Sequence, residues 1–149
     1  MTFIWVLDTD HLSLLQREHP NVLQRINQVN SGNLAITVVT LEEQMKGWLN
    51  VINKYNDKFP QSENLIMAYK GLRDGIEYLN KLRLLDFDQS AYNCYRELVN
   101  QRIRIGTRDL RIAAITLSIK GILVTRNNKD FSKIPNLQLE DWTIITSSD

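Results

Sequence analysis

Phe3-Ile4-Trp5-Val6-Leu7-Asp8-Thr9-Asp10 is the stretch on which the fold turns. A continuous apolar run of strand-forming residues stops abruptly at a polar triplet, which reads as a buried strand delivering its chain into a helix. Asp10 is expected to cap that helix, which carries Leu12, Leu14 and Leu15. The pattern recurs at Leu34-Ala35-Ile36-Thr37-Val38, where Thr40 is expected to cap a helix over 41–55 with Glu42 and Glu43 in its first turn. It recurs again at Ile122-Leu123-Val124-Thr125, and more weakly at Leu84-Leu85-Asp86-Phe87 and at an expected edge strand over 138–142.

Helical spacing fills the gaps. Pro20 opens a helix through Val22, Leu23, Ile26 and Val29 that Ser31-Gly32 stops, and Pro60 and Ser62 introduce a long one through Leu65, Ala68, Leu72, Ile76 and Leu79. Another helix is expected over 91–99. Thr107 is expected to cap one whose apolar face runs from Leu110 to Leu117, with Gly121 as its left-handed stop. Strands alternating with helices imply right-handed βαβ units. The expected architecture is a three-layer α/β/α sandwich around a mainly parallel sheet of about five strands, in one domain spanning 1–149.

Composition narrows the function classes. The 149 residues are 43% hydrophobic and 23% charged, and Cys94 is the single cysteine. A disulfide framework or thiolate zinc site within the chain is excluded, and a reducing compartment is expected. The N-terminus lacks a basic n-region, and no apolar run approaches the ~18 residues of a membrane span, so a cytoplasmic protein is expected. No Gly-rich phosphate loop and no serine in a nucleophile elbow is present, which argues against P-loop, Rossmann and serine-hydrolase chemistry. The net charge of +1 hides a segregation: −2 over 1–95, +6 over 96–133 and −3 over 134–149. The basic segment includes Arg102, Arg104, Arg108, Arg111, Arg126, Lys129 and Lys133.

In a parallel sheet of this kind, ligands bind outside the carboxyl edge of the strands. Asp8 follows the first strand, Glu43 opens the helix after the second, Asp109 opens the helix before Gly121, and Asn127 follows the fourth strand. Each alone reads as a cap or a partner of the helix dipole. All four on one edge read as a site. Two carboxylates about 4 Å apart repel by roughly 4 kcal/mol at an effective dielectric near 20, so such a cluster calls for raised pKa values or a bound cation. Hard oxygen donors suit Mg²⁺ or Mn²⁺ rather than zinc.

These pieces together resemble the PIN-domain ribonucleases, and among them the VapC toxins of type II toxin–antitoxin pairs. The matching residues are Val6-Leu7-Asp8-Thr9-Asp10, Thr37-Val38-Val39-Thr40-Leu41-Glu42-Glu43, Ile105-Gly106-Thr107-Arg108-Asp109-Leu110 and Leu123-Val124-Thr125-Arg126-Asn127-Asn128. The resemblance implies a PIN-like fold and an endoribonuclease using Mg²⁺ or Mn²⁺, which cleaves structured RNA, tRNA or rRNA, to inhibit translation. It implies Asp8 and Asp109 as metal ligands, Glu43 completing the shell partly through water, and Thr125 bonding a site carboxylate or water. The family's fourth acidic position falls on Asn127, which puts a tightly held second cation in doubt, with Asp130 as a substitute. A VapB-like antitoxin, a toxin–antitoxin hetero-oligomer and a homodimer are the implied partners.

The remaining readings stand on the residues themselves. Arg104, Arg108 and Arg126 bracket Asp109 and Asn127 and are expected to hold RNA phosphates. The stretch 54–81 is a candidate antitoxin clamp with alternating charge on its outer face. Asp10 adds charge at the site or simply caps, His11 and His19 are expected at the surface or as caps, Trp5, Trp48 and Trp142 as core or interface anchors, and Cys94 as a buried small hydrophobe. Two alternatives remain: a PIN nuclease for RNA processing without an antitoxin, and a receiver-type phosphoacceptor domain built on Asp8, Asp10, Asp86 and Asp88.

Overall fold

The structure, a computed structural model, describes residues 3–56 and 62–145. Five strands form one sheet in the order β3-β2-β1-β4-β5: β1 Trp5–Leu7, β2 Leu34–Thr37, β3 Arg83–Leu85, β4 Ile122–Val124 and β5 Gln138–Glu140. All neighbours are parallel, with Val6 opposite Ala35 on one side and Leu123 on the other. Alternation along β1 sends Val6 to one apolar layer and Leu7 to the other. The first layer is built by α5 (Gln89–Asn100) and α6 (Thr107–Ser118), and the second by α1 (Thr9–Gln16) and α2 (Pro20–Gln28) around Trp142. The expected three-layer sandwich is what forms.

The chain runs from β1 outward to β3, then returns to the other side of β1 for β4 and β5. The reversal lies between β1 and β4, and the carboxyl ends of those two strands open the crevice where such sheets bind ligands. Asp8 stands at that end of β1; its backbone N–H still donates to Val124 O, at 3.1 Å.

Helix starts differ from the sequence reading at three places. Asp8, not Asp10, caps α1: its side chain accepts the N–H of His11, and Asp10 lies inside the first turn. Helix α3 runs from Val38 to Asn56, so Thr37 Oγ1 takes the N–H of Thr40 at 3.1 Å, and Glu42 and Glu43 move into the second turn. Gly106 rather than Thr107 caps α6, without a side-chain hydrogen bond. Asp8 directly follows β1, Thr37 is the last residue of β2 and Gly106 ends the loop after α5, so each helix opens one to three residues before the sequence reading placed it.

Gly121 also has a different role from the expected one. The left-handed residue is Lys120, at φ 55°. Gly121 serves the close approach of β1, because a Cβ there would lie 3.1 Å from the Ile4 carbonyl and 3.3 Å from Val6. Helices α3 and α4 (Ser62–Leu79) pack against each other through Trp48, whose ring fills the space a Cβ at Gly71 or Gly75 would need. Pro60, the expected opener of α4, lies outside the described residues. The outer face of this pair carries the Arg73–Glu77 ion pair (3.3 Å), but also exposed Leu49, Ile66, Met67, Tyr69 and Ile76, so alternating charge describes only part of it.

Candidate active site

A cleft of about 690 Å³ opens at the carboxyl ends of β1 and β4, lined by Asp8, Thr9, Asp10, Glu43, Asp109, Arg126 and Asn127. The carboxylates come from separate elements. Asp8 is held by the end of β1, Glu43 by α3 and Asp109 by the first turn of α6. Asp8 is 7% exposed, and its Oδ1 accepts the N–H of His11 at 2.7 Å. Glu43 Oε1 accepts from Thr9 Oγ1 at 3.1 Å, and Thr9 Oγ1 stands 3.1 Å from Thr40 Oγ1. Since Thr9 spends its proton on Glu43, Thr40 is the donor in the second contact. A hydroxyl chain from Thr40 in α3 through Thr9 in α1 thus fixes one oxygen of Glu43.

Electrostatics registers the crowding. Burial pushes the Asp109 carboxyl above its ordinary value of 3.8, and the charges of Glu43, Asp8 and Asp130 push in the same direction. Three acids from distant parts of the chain therefore sense one another across the cleft.

The loop after β4 behaves differently from the carboxylates. Thr125 is buried, and its Oγ1 accepts the N–H of Asn127 at 3.0 Å, shaping the turn. The Asn127 side chain bonds Asp130 twice, through Nδ2 to Oδ2 at 3.1 Å and Oδ1 from the backbone N–H at 3.4 Å. Asp130 lies behind Asn127, with Lys133 at 3.8 Å, and reaches the cleft by its charge. Arg126 crosses the mouth to Asp10 in a two-pronged ion pair at 2.7 and 3.0 Å. Arg108 stands with Glu42 (3.7 Å) in an adjoining recess that also contains Asp109. Arg104 is exposed, its carbonyl accepting from Lys133 Nζ at 3.4 Å, and Arg111 covers the Tyr95 ring.

His11, expected at the surface or as a cap, is fully buried. Asp8, Asp10 and His11 bring one potential ligand atom each to within 4.8 Å of one another. The sequence signal for its burial was its place beside Leu12 and four residues before Leu15 on the inward face of α1. His19 caps α2 as expected, accepting the N–H of Val22 at 3.4 Å. Trp142 is a core anchor, and Cys94 packs half-buried against the core, its thiol pushed up by burial and then by Glu97 and Asp88. Asp86 and Asp88 do not join the cleft, and Asp88 caps α5 by accepting from Ala91 N at 2.9 Å. A phosphoacceptor site of receiver type has no acidic cluster there to stand on.

No family model matches the chain. Among curated proteins it is similar to ribonuclease VapC1 of Haemophilus influenzae, 30% identical over 144 residues that cover 94% of this chain and 98% of that one. It is also similar to the tRNA(fMet)-specific endonuclease VapC of Shigella flexneri, 27% identical over 144 residues covering 93% and 98%. Among solved structures, VapBC-1 from nontypeable Haemophilus influenzae superposes with a TM-score of 0.69 at 25% identity, over 95% of this chain and all of that one. VapBC2 from Rickettsia felis, bound to a DNA fragment from its promoter, superposes with a TM-score of 0.64 at 28% identity, over 94% and 99%. With 30% identity running through nearly the whole of both sequences, the chain belongs to the VapC ribonuclease family.

Proposed function

We propose that this ribonuclease cleaves structured RNA, tRNA or rRNA, at the cleft between β1 and β4, as the toxin of a pair with a VapB-like antitoxin. The observation that carries the reading is the convergence of Asp8, Glu43 and Asp109, with Asp109 pushed up by burial first and then by the charges of the other two. The donor set fits a hard divalent cation, Mg²⁺ or Mn²⁺: oxygen atoms throughout, in excess negative charge, with no thiolate in the cleft. Asp8 and Asp109 would hold it directly and Glu43 would complete the shell. Such a cation supplies an activated water and neutralises phosphoryl charge.

The protein's own groups do the positioning. Glu43 is oriented by Thr9, and Asp8 by the first turn of α1. Asn127, uncharged and committed to Asp130, favours one cation over two. Arg126 and Arg108 stand at the cleft and beside it, where cations hold flanking phosphates while the carboxylates hold the metal. Arg104, exposed in the loop before α6, adds to the basic residues near Arg108 in sequence. The exposed apolar residues of the α3–α4 pair support an antitoxin clamp there, and a homodimer within a larger toxin–antitoxin assembly is the expected state. We place the whole of 1–149 in one PIN domain acting in the cytoplasm. Among the described residues no helix is long and apolar enough to cross a membrane.

The test is direct. Purified chain, freed of any antitoxin, is expected to cut a tRNA pool at discrete positions with Mg²⁺ or Mn²⁺ and to stop when EDTA is added. Intact tRNA and rRNA with either metal would overturn the reading. The basic rim is tested separately by the salt dependence of RNA binding. Each single-strand phosphate contact contributes about 0.7 to the slope of log K against log salt, so Arg108→Ala with Arg126→Ala is expected to lower it by about 1.4. An unchanged slope would remove both residues from the RNA interface.

A further inference from the structure

We propose that His11 positions Asp8, holding one carboxylate oxygen from within the core so that the other is left to the cleft. The proposal rests on the reading of Asp8 as a metal ligand given above. His11 is 0% exposed, so its ring nitrogens must find partners inside the protein. Nε2 accepts the backbone N–H of Trp142 at 3.3 Å. A peptide N–H can only donate, so Nε2 carries no proton and the neutral ring carries its proton on Nδ1.

Nδ1 completes no hydrogen bond, yet it lies 3.4 Å from Asp8 Oδ1. The same oxygen takes the His11 backbone N–H at 2.7 Å. Backbone and ring of one residue thus converge on Oδ1, and Oδ2 is the oxygen left for a ligand in the cleft. This tautomer also settles how the Asp8, Asp10 and His11 grouping works. With Nε2 filled and Nδ1 protonated, the ring has no lone pair for a cation, and Asp10 is committed to Arg126. His11 therefore acts through Asp8. Through Trp142 it ties the active-site carboxylate to a segment 131 residues away.

The two ring nitrogens can be tested separately. In His11→Gln the amide oxygen can replace Nε2 as acceptor for Trp142, but the donor toward Asp8 is lost. In His11→Asn the amide N–H₂ stands near Nδ1, and the acceptor for Trp142 is lost. Mn²⁺ affinity of the metal-free full chain, read from the free-ion EPR signal, reports positioning, and its melting temperature reports structure. His11→Gln is expected to bind Mn²⁺ about 10- to 100-fold more weakly at a near wild-type melting temperature, as loss of a group that supports a ligand from behind does. His11→Asn is expected to melt lower yet keep Mn²⁺ affinity within about threefold of wild type, well short of that loss. The reverse pattern, or affinity falling in both variants in step with stability, would overturn the proposal. A wild-type chain that binds no Mn²⁺ would instead overturn the metal reading, and this inference with it.

Discussion

In the Asp109→Asn protein, RNA cleavage is expected to fall by about 10²- to 10⁴-fold while the metal-free fold becomes more stable at neutral pH. The loss corresponds to the several kcal/mol of transition-state charge stabilisation that a bound cation supplies, at 1.36 kcal/mol per factor of ten. The gain in stability follows from the state of the carboxyl. Burial first, then Glu43, Asp8 and Asp130, raises it above 3.8. A carboxyl raised in the folded protein binds its proton more tightly there than in the unfolded chain, so its ionisation opposes folding. The penalty is absent below pH 3.8, grows as the pH climbs through the raised value, and is complete above it.

An acid in the first turn of α6 also gains about 0.3–1 kcal/mol from the helix dipole. The upward shift shows that desolvation and repulsion outweigh that gain. Asparagine cannot ionise, so in EDTA the variant's advantage in melting temperature is expected to be widest at about pH 7 and to vanish below about pH 4. A variant that cleaves at the wild-type rate, or melts no higher at neutral pH, would show that Asp109 does not share the charge cluster.

The layered sheet was legible in the sequence because β1, β2 and β4 are covered on both faces, and strands buried twice must be apolar throughout. The acids were legible because parallel topology leaves little choice about which edge carries chemistry. What was missed depends on contacts across long separations. His11 looks like a surface residue until Trp142 supplies its partner. Gly121 looks like a helix stop until Ile4 is seen 3.1 Å from where its Cβ would be. The caps were misplaced by two or three residues at Asp8 and Thr37, since serial polar residues compete for the first turn and the exact end of pairing decides among them. The misplaced cap on α1 has a consequence for function, because it gives one side chain two tasks.

Asp8 caps α1 and also lines the cleft, and two substitutions separate those tasks. Asparagine is as good an N-cap as aspartate, so Asp8→Asn is expected to keep the bond from His11 N to Oδ1 and to melt near the wild-type temperature. Toward the cleft, however, it presents an uncharged amide where the carboxylate presented an oxygen, and a cation finds a donor proton there instead of a lone pair. Cleavage is expected to fall by about 10²- to 10⁴-fold, and growth arrest on induced expression is expected to disappear. Asp8→Ala loses the charge and the cap together. Its cleavage should be equally low, but the missing cap costs about 0.5–2 kcal/mol, roughly 2–4 °C per kcal/mol for a chain of this size. Matched loss of cleavage with a lower melting temperature only in the alanine variant is therefore the expected result. Cleavage surviving in Asp8→Asn would leave Asp8 a helix cap and nothing more.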